Sequence, residues 1–148
     1  MKQTNKFLSL LLVIVAAGSM VVNAQQTTYD AYRLYDNSGK AIDYQQMVQQ
    51  LSKADVVFLG EIHNCAITHW LELRILQSLY LVHGKKLALG MEMFEADNQL
   101  ILNEYLQGLI FSDRFEEEAR IWPNYVTDYA PIVNFARENK IPTVATNV

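Results

Sequence analysis

Val56-Val57-Phe58-Leu59-Gly60 is an unbroken apolar run, β-branched and aromatic, with no period-2 alternation. A run of that length and kind predicts a short strand covered on both faces. From Ala66 to about His83 the period changes. Ile67, Trp70, Leu71, Arg74, Ile75, Ser78, Leu79 and Val82 recur at helical spacing, and Gly84 ends the pattern. Leu87 to Phe94 is a second apolar run, with Glu92 near its end. Strand, helix, strand in this order predicts a right-handed βαβ unit with two parallel strands.

The flanking segments extend this pattern. Asp36-Asn37-Ser38-Gly39 is a cluster of turn formers between Tyr32–Tyr35 and Lys40–Ile42, which predicts a small β-hairpin. Asp43 with Gln46 three residues on forms a capping box for a helix over about Tyr44–Ser52, with Met47, Val48 and Leu51 on one face. Beyond Ala96 the spacing of Leu100, Leu102, Tyr105 and Leu106 is helical, and Phe111–Arg120 reads as a short acidic helix. After the break at Trp122-Pro123, a last helix runs from Asp128 to Asn139 with Pro131 in its first turn. Thr143–Asn147 is a third strand. The expected fold is therefore α/β. A parallel sheet is flanked by helices, and a helical subdomain is inserted between the second and third strands. Strands Val56–Gly60, Leu87–Glu92 and Thr143–Asn147 share one functional edge. A doubly wound domain would continue past that third strand, so the chain reads as truncated at its C-terminus.

Composition places the chain outside the cytoplasm. Lys2 and Lys6 precede an apolar stretch from Phe7 to Val22, and Val22-Asn23-Ala24 closes it with small residues. Residues 1–24 thus read as a secretory signal peptide, and the apolar stretch is short for a membrane span. Residues 25–55 hold the hairpin and first helix, and 56–148 form the α/β domain. The expected location is exported, periplasmic or envelope-associated, with no lipobox cysteine and no integral membrane span after cleavage. Without Lys2 and Lys6, 10 basic residues face 16 acidic ones, a net charge of −6. An acidic domain with no basic stripe is a poor match to nucleic acid or anionic membrane. Cys65 is the only cysteine, so an internal disulfide framework is excluded.

The candidate chemistry gathers at strand ends, where open parallel sheets place their ligands. Glu61 and His63 follow the first strand and Glu92 closes the second, so a parallel sheet would bring the three to one rim. His63 and His69 lie six residues apart, about 600° on a helix, so one helical face does not present both. They converge only if His63 stays in the loop. His69 and Glu72 at i, i+3 are close enough to share a metal or to form a surface pair. No set of four His and Cys ligands exists, which excludes structural zinc.

The strings LGEIHNCAITHWLEL, ALGMEMFEADNQLILNEYLQG and WPNYVTDYAPIVNFARENKIPTVATN, in this order, resemble the ChaN-like haem-binding uptake family of the Tiki and erythromycin-esterase superfamily. The resemblance runs from about Val56 to the last residue. It implies haem binding linked to iron acquisition, an iron ligand from a tyrosine or histidine, and a homodimer with its haems between subunits. His63, His69, Tyr125 and Tyr129 are the candidate haem ligands or contacts, the tyrosines because they follow the Trp122-Pro123 break. In hydrolases of the superfamily, a Gly-x-x-His after the first strand and a Glu after the second form the active site. These match Gly60, His63 and Glu92, with Glu61 as neighbour. The alternative is therefore an ester or peptide hydrolase using Glu61, His63 and Glu92, with or without a divalent metal. Two features depart from the family pattern. The lipobox cysteine of many relatives is missing, and so is the family's further half after Asn147.

Overall fold

The computed structural model describes residues 30–148. The signal-peptide assignment over 1–24 and the polar leader after it lie outside the described residues. Ala31–Val148 form one compact unit. It opens on the expected hairpin, β1 (Leu34–Tyr35) paired antiparallel with β2 (Ala41–Ile42). Asp36 closes its turn: Oδ1 accepts from the backbone N–H of Ser38 at 2.9 Å and of Lys40 at 3.0 Å. Helix α1 (Tyr44–Leu51) starts at the capping box, where the Asp43 carboxylate accepts from the Gln46 N–H at 2.7 Å. Tyr44 then ties α1 to α2 through its hydroxyl, 2.9 Å from Ser78 Oγ.

Helix α2 (Ala66–His83) has the expected bounds but a rotated buried stripe. His69, Ile75, Leu76 and Leu79 face inward, whereas Ile67, Trp70 and Val82 are exposed. The helix is apolar nearly all round, and so periodicity alone does not choose the face that packs.

Two strands make the main sheet. β3 (Leu89–Glu95) and β4 (Thr143–Asn147) run parallel, with Leu89 opposite Thr143 and Met91 opposite Ala145. Between them in the chain lie α3 (Gln99–Leu106), α4 (Ser112–Glu118), a π-helical turn (Tyr125–Tyr129) and α5 (Ala130–Asn139). The fold is α/β with a small parallel sheet. Parity sets its two faces. Met91, Met93, Thr143 and Ala145 are buried beneath the helices, and Gly90, Glu92, Val144 and Thr146 are exposed. Met91, Met93, Phe94, Leu102, Phe115, Tyr125, Val133 and Ala136 share one core, to which α2 contributes Leu76. The outer edge of β4 is not bare: the Gln99 amide donates to the Thr143 carbonyl at 3.1 Å and accepts from the Ala145 N–H at 2.7 Å. Such pairing blunts an edge that would otherwise template association.

One expectation fails. Val56–Gly60 is extended but belongs to no strand, and Phe58 is 93% exposed. The apolar run describes what the segment is fitted to bury, and within the described residues nothing covers it. The sheet has two strands where three were expected, and the common edge that would have joined Glu92 to Glu61 and His63 is not formed.

The two aromatic positions give a direct check. Phe94→Ala empties a fully buried site and is expected to cost ~3–5 kcal/mol. Phe58→Ser is expected to change stability by no more than ~0.5 kcal/mol, as at other exposed sites. Urea denaturation of both variants decides it, and a large loss in Phe58→Ser would show that the segment is packed.

Candidate functional site

His69 is the centre of the site. It sits in the first turns of α2, and its side chain is 1% exposed. The Pro-free turn Ile62–Cys65 before the helix folds back, with the Cys65 N–H donating to the Ile62 carbonyl at 2.9 Å. That turn carries the His63 carbonyl to within 3.1 Å of His69 Nε2. A carbonyl oxygen only accepts, so Nε2 carries the hydrogen. On the other side of the ring, Nδ1 meets Glu61 Oε2 at 3.0 Å and Glu72 Oε2 at 3.1 Å. Asp128 Oδ2 lies 3.8 Å from Nε2. One imidazole therefore faces three carboxylates.

The surrounding groups hold those carboxylates in place. Tyr129 donates its hydroxyl to Glu61 Oε2 at 3.1 Å, and its ring packs at 4.5 Å from the His69 ring. Asn124 donates both to the His63 carbonyl and to Asp128 Oδ2, each at 2.7 Å. The π-helical turn Tyr125–Tyr129 places Asp128 and Tyr129 against α2, and turns of this type recur at functional sites.

His63 occupies the rim. Its Nδ1 lies 3.2 Å from Glu61 Oε1, its side chain is 56% exposed, and Trp122 meets its ring edge-on at 4.7 Å. Glu61 thus offers one oxygen to each histidine. Burial opposes a charged His69, but its bond to the His63 carbonyl and the bond and charge of Glu72 outweigh that, with Glu61 adding to them. The His69 pKa is raised. Burial also raises the Glu72 carboxyl, and the charge of Glu61 acts in the same direction. Burial and the Glu61 carboxylate push the Tyr129 phenol upward, and burial does the same for Tyr125. Chemically, the arrangement can retain a proton or a cation inside and present one oriented imidazole outside.

A family model described as haem-binding uptake, Tiki superfamily, ChaN, matches residues 47–148. The chain belongs to this family. A solved structure titled "Cofacial heme binding to ChaN of Campylobacter jejuni" is similar to it in fold, with a TM-score of 0.65 at 22% identity. The match covers 79% of this chain and 48% of that one, so the chain spans about half the length of that relative. No curated protein matches the sequence.

Within this ChaN-family chain, Glu61, His63, His69 and Tyr129 come together, as their bonds and ring contacts show. Tyr125 is buried in the core against Phe94 and Phe115 instead. Glu92 does not join them. It sits within β3 on the exposed face, opposite in parity to the core-facing Met91 and Met93, and no hydrogen bond or ion pair links it to the described residues of the site. Glu72, Asn124 and Asp128 complete the cluster. The i, i+3 spacing of His69 and Glu72 carried a signal for one of them. Nothing local in the sequence marks Asn124 or Asp128, which arrive through the π-helical turn.

The raised His69 and Glu72 pKa values make stability depend on pH with a definite sign. A raised pKa means that the folded state holds protons the unfolded chain releases. The His69 contribution is fully present below its unfolded value near ~6.5 and is lost as pH rises through the higher folded value. Glu72 acts in the same sense at lower pH. The melting temperature in metal-free buffer is therefore expected to fall from pH 6 to pH 9, and His69→Gln to flatten that fall. A melting temperature that rises over this interval would contradict the assignment.

Proposed function

We propose that this protein binds haem in the service of iron acquisition outside the cytoplasm, with His63 as the axial ligand. Family membership supports the ligand class, and one observation carries the choice of residue. His63 is the candidate whose ring is both oriented and exposed: Nδ1 is held by Glu61 Oε1 at 3.2 Å, which leaves Nε2 directed away from that bond. Metal-ligating histidines commonly donate their other ring N–H to a carboxylate, which fixes the tautomer and raises ligand basicity. Haem, when bound, supplies an iron centre that accepts such an imidazole nitrogen.

The residues beside His63 fit a flat apolar macrocycle. Phe58, Leu59 and Ile62 are exposed on the same segment, Ile62 at 67%, and Trp122 stands at the edge of the imidazole. Tyr125 and Tyr129 are less suited to ligation. Both are buried, and a phenolate is harder to form where burial and a neighbouring carboxylate raise the phenol. His69 has both ring nitrogens engaged. A haem lying on this exposed segment keeps one face open, and a second copy of the chain covers it in a homodimer. Export follows from the signal-peptide pattern of residues 1–24.

The His63–Glu61 pair also favours a second reading, in which His63 is a general base acting on an ester or peptide. Its weakness is that the described residues bring neither Glu92 nor a side-chain nucleophile to the ring.

Mixing the protein with haemin is expected to give a shifted Soret band at one haem per chain and, by light scattering, a haem-dependent dimer. His63→Ala is expected to lower haem affinity by more than ~10-fold, because even the outer partners of a metal ligand are worth about that much. No shifted band for the wild type removes the haem reading. An unchanged band in His63→Ala removes the ligand. His63-dependent turnover of an ester panel, with no Soret shift, would favour the hydrolase.

A further inference from the structure

The inner half of the site is built for a charge that the chain does not supply through lysine or arginine. The described ion pairs of Glu61, Glu72 and Asp128 are all to histidine. His69 can give its Nε2 hydrogen to the His63 carbonyl, and that leaves Nδ1 pointing between Glu61 Oε2 and Glu72 Oε2. Ionised carboxylates only accept hydrogen bonds. The space between these three atoms must therefore hold positive charge, either as a second ring proton or as a cation. A proton offsets one carboxylate, and a divalent cation offsets two.

We propose that Glu61, His69 and Glu72 form a site for a first-row divalent cation of the Zn2+ type, ligated by Glu61 Oε2, His69 Nδ1 and Glu72 Oε2. The three donor atoms lie within 4.8 Å of one another. Tetrahedral zinc, with bonds of about 2.0–2.2 Å, spaces its donors about 3.4 Å apart. The two nitrogen–oxygen separations, 3.0 and 3.1 Å, need only a slight opening to admit the ion. Nitrogen and oxygen donors suit Zn2+ or Mn2+ and disfavour thiolate-seeking Cu+.

The outer contacts are those of a metal site. The His69 ring is held through Nε2 by a backbone carbonyl, as ligating histidines usually are. Tyr129 bonds Glu61, and Asn124 fixes both the His63 carbonyl and Asp128. Three protein ligands leave a fourth position for water or a substrate oxygen. Burial of His69 further separates this site from a casual cluster of surface acids.

The test uses the full chain after chelation and dialysis, titrated with ZnCl2 in a calorimeter at pH 7. The expected result is saturation at one Zn2+ per chain, with proton release that varies between buffers and a rise in melting temperature. Glu72→Gln is expected to weaken binding by at least ~10-fold while keeping the haem Soret shift. His63→Ala should show the converse, keeping Zn2+ and losing haem. Co2+ serves as a second probe on the unaltered chain. A tetrahedral visible spectrum without a thiolate band supports the site, and a thiolate band would move the metal to Cys65. No saturable Zn2+ uptake by folded protein overturns the proposal. So does uptake that Glu72→Gln and His69→Gln leave unchanged, the mark of an adventitious surface ion.

Discussion

The site depends on one imidazole enclosed by acceptors. His69 touches the His63 carbonyl, Glu61 and Glu72 at hydrogen-bonding distance and lies near Asp128. Those partners come from the loop before α2, from α2 itself and from the π-helical turn before α5. Burying carboxylates is costly unless their charge is offset. The imidazole offsets the charge of all of them, so three chain segments are fixed relative to one ring. The rim is a consequence of this. His63 presents its ring outward because its own carbonyl is held by His69 and Asn124.

The π-helical turn supplies the remaining geometry. Its Ala130 N–H bonds to the Tyr125 carbonyl, five residues back, so the turn holds one more residue than an α-helical one. Tyr125 and Tyr129 are consequently both buried, with Tyr125 in the Phe94–Phe115 core and Tyr129 over His69. Asp128, beside them, stays within reach of Nε2. An α-helix begun at Asp128, as the periodicity predicts, would set these side chains at different angles to α2.

What was legible in the sequence was local. The hairpin turn at Asp36, the Asp43–Gln46 capping box, the span of α2 and the strand Thr143–Asn147 all follow from residues close together in the chain. The failures are long-range. Val56–Gly60 has the composition of a doubly covered strand, but composition does not supply the neighbour that makes it one. Glu92 was placed by the direction of its strand, although the pleat decides which face a residue occupies. His63 and His69 were weighed as two side chains, which helical geometry keeps apart. The backbone carbonyl of the first meets the ring of the second, and residue identity carries no signal for that.

Glu61 is where the two halves of the site meet. Oε1 faces the exposed His63 ring and Oε2 faces the buried His69 ring, with the Tyr129 hydroxyl on the same oxygen. Removing this carboxylate releases the orientation of His63 and strips an acceptor from His69 together. A substitution at Glu61 therefore cannot assign either role, whatever activity it abolishes. His63 and Glu72 touch one half each, because His63 reaches the inner ring only through its main chain and Glu72 bonds only His69. Changing those two side chains, singly and in combination, separates outward ligation from inward charge. Additivity is expected where Glu61 acts as a passive bridge. Any coupling between the two changes measures how far charge at one carboxylate oxygen is felt at the other.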